Sequence, residues 1–405
     1  MKIANVIRRF VFDEWGGTES AVWNLTKKFA QENVSAEILA TNALCDCKYD
    51  QKEGVNIRRF NYFYPHLFLD SKRIFSLDKK GGNPFSLDIY KYICKGGFNI
   101  VHSHNLGRIA KISLLASKKI GIPCVLSFHG GYFDVPKSET DLMLSPLKNR
   151  IGYGKVIEKL CGMTSDVVQD CDGIICVGKN EFEKMQIVYP RKKIAYIPNG
   201  VDVEKFAKKP NLDFRKEFSI PKDRKLILCV SRIDPQKNQM SLLHLLQSLV
   251  SKGENVHLAL VGFITNEDYL KQITQLALDM GLNDRLTLCG GMSPNSDILL
   301  SAYKSANVFV LPSIHEPFGI VVLEAWASGV PVIASNIGGL GYLVEDAKTG
   351  FLFEPNNVSQ MVESYFSSQK NVDEITRNAL SVCKEKYSWK FVAKQTLQFY
   401  KELAK

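Results

Sequence analysis

The sequence has no run of about 18 apolar residues, the length a helix needs to cross a bilayer, so any work at a membrane is expected from its surface. Its ten cysteines include no C-x-x-C pair, and Cys45-x-Cys47 lacks a second ligand pair, which argues against a zinc framework. Thiols scattered from Cys45 to Cys383 without disulfide spacing fit a reducing compartment, so a cytoplasmic location, or the inner face of a membrane, is expected. The first residues carry Arg8, Arg9 and Asp13 within an apolar stretch and read as a buried strand, not a signal peptide. There is no short-period repeat, no low-complexity segment and no basic stripe of the kind that tracks nucleic acid, so nucleic acid is not an expected partner.

What is present is ordinary globular material. The chain has 405 residues, 45% hydrophobic and 23% charged, enough for two separate cores. The net charge of +10 is uneven: residues 1–200 hold 29 basic and 20 acidic side chains, and residues 201–405 hold 23 and 22. A basic first half suits anionic partners, such as a phosphorylated acceptor, an acidic glycan or a membrane surface, and serves solubility equally well.

Strand-length apolar runs alternate with amphipathic stretches. Lys2–Phe12 reads as a strand, followed by a helix from Glu19 to Gln31 and strands at Ala36–Thr41, Val55–Asn61, Ile100–Ser103 and Cys124–Phe128. A helix over Gly107–Lys119 stops at Gly121. The pattern restarts with strands at Leu226–Ser231, Val256–Val261, Leu286–Leu288, Val308–Leu311 and Pro331–Ala334, with helices over Gln239–Leu249 and Tyr269–Met280 and another beginning over Val321–Ala327. The fold class is therefore α/β, two doubly wound parallel sheets, with domains at 1–200 and 201–386 and an amphipathic terminal helix. Ligands of such sheets bind outside the carboxyl ends of the strands, so a site between the two domains is expected.

Three segments carry chemistry. Gly16-Gly17-Thr18-Glu19 opens a helix after the first strand, where close backbone approach and the helix end favour a phosphate, although a plain strand–helix turn explains it as well. Arg232 and Lys237 lie on the loop after the first strand of the second half, two cations suited to a pyrophosphate. Glu316 ends a later βα loop and Glu324 follows eight residues on, flanked by apolar residues, with free amides expected between them at a helix start. Glu324 is expected to be partly buried and to need hydroxyl partners.

Together these segments resemble the retaining glycosyltransferases of the GT-B fold, glycosyltransferase family 4. The likeness runs over nearly the whole chain and includes Pro198-Asn199-Gly200-Val201-Asp202, the stretch from Gly329 to Ser335 followed by Gly338-Gly339, and the aromatic start of the last helix at Tyr387-Ser388-Trp389. The resemblance implies two Rossmann-like domains facing across a cleft, with the 387–405 helix returning to the first. It implies a nucleoside diphosphate sugar donor, UDP- or GDP-linked. Arg232 and Lys237 would take the diphosphate, Glu324 the ribose and Glu316 the donor sugar, with the amides of Phe318, Gly319, Ile320 and Val321 helping. Gly16 and Gly17 would close over the phosphates. His129, at the end of Cys124–Phe128, matches the family's histidine at the sugar pocket. His104, after His102 and Ser103, is assigned to the acceptor side.

No metal and no cofactor are expected, since no D-x-D ends a strand and two cations stand at the leaving group. The implied reaction moves a hexosyl group to a glycan, glycolipid or small hydroxyl acceptor, in polysaccharide or glycolipid biosynthesis. The alternatives are a sugar-nucleotide epimerase, a phosphorylase, a two-lobed binding protein without catalysis and an inert scaffold. Trp326, where relatives carry a smaller residue, reads as core packing. The aromatic stretch Phe60–Phe68, followed by Lys72, Arg73, Lys79 and Lys80, reads as loop packing or as a surface for an acceptor or a membrane.

Overall fold

A computed structural model describes residues 1–12, 16–129, 131–133 and 137–404. The chain divides into two compact units, Met1–Pro198 with Val392–Lys405, and Asn199–Phe391.

The first unit is built on an eight-stranded sheet: β1 (Lys2–Arg9), β2 (Ser35–Thr41), β3 (Tyr49–Lys52), β4 (Val55–Phe60), β5 (Ile100–Ser103), β6 (Cys124–Phe128), β7 (Gly173–Cys176) and β8 (Lys193–Tyr196). Its order is β3-β4-β2-β1-β5-β6-β7-β8. Most strands are buried on both faces, which is why they read as continuous apolar runs. The sheet is not wholly parallel as expected: β3 runs antiparallel to β4. Its sequence, Tyr-Asp-Gln-Lys, shows no apolar alternation, and the turn at Glu53 and Gly54, with φ of +49° and +79°, has the two positive values of a tight hairpin. β1 also ends at Arg9, short of the expected Phe12. The helix Gly17–Gln31 buries Val22, Trp23, Leu25 and Phe29 against the sheet, and the helix Arg108–Ile120 ends at Gly121 in the left-handed conformation. From the last helix, Trp389–Leu403, Tyr400 is fully buried in this unit, its ring 6.2 Å from that of Phe29.

The second unit has six parallel strands: β9 (Lys225–Val230), β10 (Val256–Val261), β11 (Leu286–Leu288), β12 (Val308–Leu311), β13 (Val332–Ser335) and β14 (Phe351–Phe353), in the order β11-β10-β9-β12-β13-β14. β14 and the small strands β7 and β8 are too short to stand out by periodicity alone. Leucines of the helix Met240–Ser251 pack with β9, β10 and β12 into one apolar core.

In each sheet the chain winds outward in both directions from one point. That point lies between β9 and β12 in the second unit and between β1 and β5 in the first. The loops leaving the carboxyl ends of those strands flank a crevice.

Candidate functional site

The crevice of the second unit is flanked by the loop after β9 and the loop after β12, and these are the loops that carry Arg232, Lys237 and Glu316. Lys237 sits in a single 3-10 turn, Pro235–Lys237, started by Asp234, whose side chain accepts the Gln236 amide. Gln239 braces the same loop by donating to Ser231 Oγ at 2.9 Å and to the Arg232 carbonyl at 2.7 Å. Across the crevice, the Ile314 amide donates to the Gln236 carbonyl at 2.8 Å. The two loops are closed by an ion pair, Lys237 Nζ to Glu316 Oε2 at 2.6 Å, with the side chains 12% and 15% exposed. Arg232 is exposed and makes no ion pair among the described residues. Thus the structure brings Lys237 and Glu316 into contact and leaves the Arg232 guanidinium available.

Glycine permits the approach of these segments. A Cβ on Gly262, after β10, would lie 1.7 Å from the Ser231 carbonyl oxygen, so only glycine fits beside the β9 loop. A Cβ on Gly339 would lie 2.2 Å from the Pro317 oxygen, and the Gly339 amide donates to the Glu316 carbonyl at 2.9 Å. The Gly338-Gly339 pair therefore holds the Glu316 loop from the β13 side.

Past Glu316 the chain turns through Gly319, at φ +94°, into the helix Ile320–Ala327. This is one residue earlier than expected. Phe318 is buried, while Ile320 and Val321 are half-buried, and the Val322 amide closes the first turn by donating to the Gly319 carbonyl at 3.0 Å. Glu324 lies one turn along, half-buried as expected, with Oε2 accepting from the Tyr303 hydroxyl at 2.7 Å. Burial pushes the Glu324 carboxyl above its usual range, against the pull of the Lys205 charge and the Tyr303 hydrogen bond. Lys205 Nζ donates to the Pro294 carbonyl. Ser313 Oγ and His315 Nε2, on the loop between β12 and Glu316, are buried with no hydrogen-bond partner among the described residues, polar atoms that a ligand would satisfy. Trp326 is fully buried, as core packing requires.

Neither Tyr303 nor Lys205 was marked by any sequence pattern, because each reaches the site from a distant segment. Ser313 and His315 lie three residues and one residue before Glu316.

In the first unit, Gly16 stands at the amino end of the helix Gly17–Gln31. Its amide donates to Glu19 Oε2 at 3.1 Å, so the carboxylate of Glu19 already lies at the helix end, with Arg9 Nε 3.7 Å from its other oxygen. Asp13, part of the expected first strand, lies outside the described residues. His129 follows β6, half-buried, and its Nε2 is 3.1 Å from His104 Nδ1. His104 is buried and uses its other nitrogen, Nε2, on Asn5 Oδ1 at 3.2 Å. As placed, it spends both ring nitrogens inside the unit, which leaves none for an acceptor. His102 is likewise engaged, with Tyr400 Oη at 2.5 Å and Ser127 Oγ at 2.6 Å. Burial holds His102 and His104 well below the usual histidine range, so both are neutral. Among the described residues no three His, Cys, Asp or Glu side chains gather as a metal site would require.

The aromatic stretch divides. Tyr62 and Tyr64 donate to Asp78 at 2.7 and 2.8 Å, and Phe63 packs on Phe85. Leu67 and Phe68 remain exposed, Phe68 by 76%.

Two family models match the chain. Residues 15–205 match the model of Glycosyltransferase Family 4, and residues 211–381 match that of Glycosyl transferases group 1. The chain is 32% identical over 237 residues to an uncharacterized glycosyltransferase, MJ1607, of Methanocaldococcus jannaschii, across 56% of this chain and 59% of that one. It is 29% identical over 283 residues to the UDP-Gal:alpha-D-GlcNAc-diphosphoundecaprenol alpha-1,3-galactosyltransferase of Escherichia coli, across 69% of this chain and 68% of the relative. The match to the first of these thus spans less than two thirds of the relative's length. The crystal structure of Anabaena Alr3699/HepE in complex with UDP-glucose superposes with a TM-score of 0.71 at 16% identity, covering 99% of this chain and all of that one. The chain belongs to the GT-B glycosyltransferases of the family 4 type. Among the described residues no helix is long and apolar enough to cross a membrane.

Proposed function

We propose that the protein transfers a hexosyl group from a nucleoside diphosphate sugar, UDP- or GDP-linked, to an acceptor hydroxyl, with retention of anomeric configuration and without a metal or other cofactor. The observation that carries this reading is the Lys237–Glu316 pair spanning the switch point of the second unit, with Arg232 unpaired on the same loop. A diphosphate placed there meets two cations. As the bond to the sugar breaks, negative charge grows on the departing phosphate, where fixed cations have most leverage. Arg232 takes it through its planar fork and Lys237 as a point charge.

Glu316 and the amides of Phe318, Gly319, Ile320 and Val321 hold the sugar, and Glu324, steadied by Tyr303, takes the ribose hydroxyls. Gly16 and Gly17 serve the phosphates from the first unit, with Glu19 moving off the helix end. His129 bonds the donor sugar. The two cations neutralise the leaving group as a metal would, which is the basis for metal independence. The names of the similar proteins, a galactosyltransferase acting with UDP-Gal and a UDP-glucose complex, agree with such donors.

The acceptor is a glycan, glycolipid or small hydroxyl compound, and a role in polysaccharide or glycolipid synthesis on the cytoplasmic side follows from that class. A surface in the first unit suits contact with an anionic bilayer. The Leu67 amide donates to the Ile151 carbonyl at 2.9 Å, which sets exposed Leu67, Phe68 and Ile151 together near Lys72 and Arg73.

The test is incubation of the purified protein with UDP-glucose, UDP-galactose and GDP-mannose, with mass spectrometry of the products. Release of nucleoside diphosphate from at least one donor supports the reading. Intact donors throughout, with no calorimetric binding of UDP or GDP, would sink it.

A further inference from the structure

We propose that His104 and Asn5 are positioning residues that fix the tautomer and ring orientation of His129. The hydrogen-bond chain begins in the helix Gly17–Gln31. Thr26 Oγ1 donates its single proton to the Val22 carbonyl at 2.6 Å. The same oxygen is then only an acceptor for Asn5, whose side chain is 2.9 Å away, so the Asn5 amide nitrogen faces Thr26. The Asn5 carbonyl oxygen must therefore face His104 Nε2, at 3.2 Å, and that nitrogen must carry a proton. A neutral His104 with its proton on Nε2 has a lone pair on Nδ1. His129 Nε2, 3.1 Å from that lone pair, is consequently the donor. Every hydrogen bond in the chain points the same way, and each fixes the next.

Asn5, Thr26 and His104 are all buried, Asn5 in the middle of β1 between β2 and β5. Buried polar groups cost stability unless satisfied, and an apolar trio would fill the same space without that demand. This connected chain reaches His129, its half-buried member. Its effect is to fix a proton on His129 Nε2 and the orientation of the ring. This deepens the reading of His129 as a group that bonds the donor sugar, and it replaces the assignment of His104 to the acceptor side.

The test has two arms. In nitrogen-15-labelled protein without nucleotide, NMR is expected to show a proton on His129 Nε2, with a coupling across the hydrogen bond to His104 Nδ1. A His129 Nε2 without a proton, or His104 as the donor, overturns the proposal. This arm needs no donor, so it fails separately from the proposed function.

The second arm compares His104→Gln with His104→Phe in UDP-glucose hydrolysis. Glutamine offers a carbonyl toward His129 and an amide toward Asn5, and phenylalanine offers neither. His104→Phe is expected to lower kcat by about tenfold, the worth of one hydrogen bond, with KM moved less than about threefold. His104→Gln is expected to restore most of the loss. Equal kcat for His104→Phe and the natural protein overturns the proposal, as does equal loss in both variants. Asn5→Leu, which cuts the chain one step earlier, gives the same reading should His104→Phe fail to fold.

Discussion

Removing Lys237 tests whether its pair with Glu316 is machinery or merely structure. The two charges lie 2.6 Å apart with side chains 12% and 15% exposed, so the pair is close to the buried class. At an effective dielectric of about 20 their attraction is about 6 kcal/mol, most of it offset by desolvation. Deleting one partner of such a pair costs about 3 kcal/mol, because the other charge is left unpaired. Lys237→Ala should therefore melt earlier and should also lose about two to three orders of magnitude in kcat, the usual effect of removing one stabiliser of developing negative charge. The double variant Lys237→Ala/Glu316→Gln separates the two effects. With the stranded charge gone, its melting temperature should recover toward the natural value while turnover stays low. The assay is release of nucleoside diphosphate from whichever donor is turned over, beside a thermal melt. A Lys237→Ala turnover within about threefold of the natural rate, or a double variant that regains both stability and turnover, would make the pair structural only.

Further outcomes are expected. Tyr303→Phe removes the donor to Glu324 and should weaken nucleotide binding by about 1–3 kcal/mol, read by calorimetry with UDP and GDP. Gly339→Ala sets a Cβ 2.2 Å from the Pro317 oxygen and should displace the Glu316 loop, so that both melting temperature and turnover fall. Burial keeps His102 and His104 neutral in the fold, whereas the unfolded chain takes up their protons below about pH 6.5. Stability present above that pH is lost as pH falls, at about 1.4 kcal/mol per pH unit for each histidine, until the lower folded value is reached. His104→Gln should flatten the slope by one such share in urea unfolding between about pH 6.5 and 5.5. Phe68→Ser should reduce sedimentation with vesicles containing phosphatidylglycerol and leave hydrolysis of a soluble donor unchanged.

Much of this was written in the sequence because it is local. The apolar strands of a parallel sheet are continuous runs, and the cations and glutamates sit at fixed distances from the ends of β9 and β12. What escaped depends on distant segments. β3 has no apolar face to betray it, and its pairing is set by the turn at Glu53 and Gly54. Tyr303 reaches Glu324 from another helix, and Glu19 meets the Gly16 amide only once the helix forms. His104 was assigned to an acceptor because its strand-end position is visible, while its two internal hydrogen bonds are not. Asn5 did leave a trace, an amide in the middle of an apolar strand, but its partners come from the residue after β5 and from a helix.

A crystal structure of the protein with UDP or GDP bound would show directly where the donor sits. The diphosphate is expected within about 3 Å of Arg232 and Lys237, with the ribose hydroxyls on Glu324. A nucleotide seated elsewhere on the molecule, with those three side chains untouched, would contradict it.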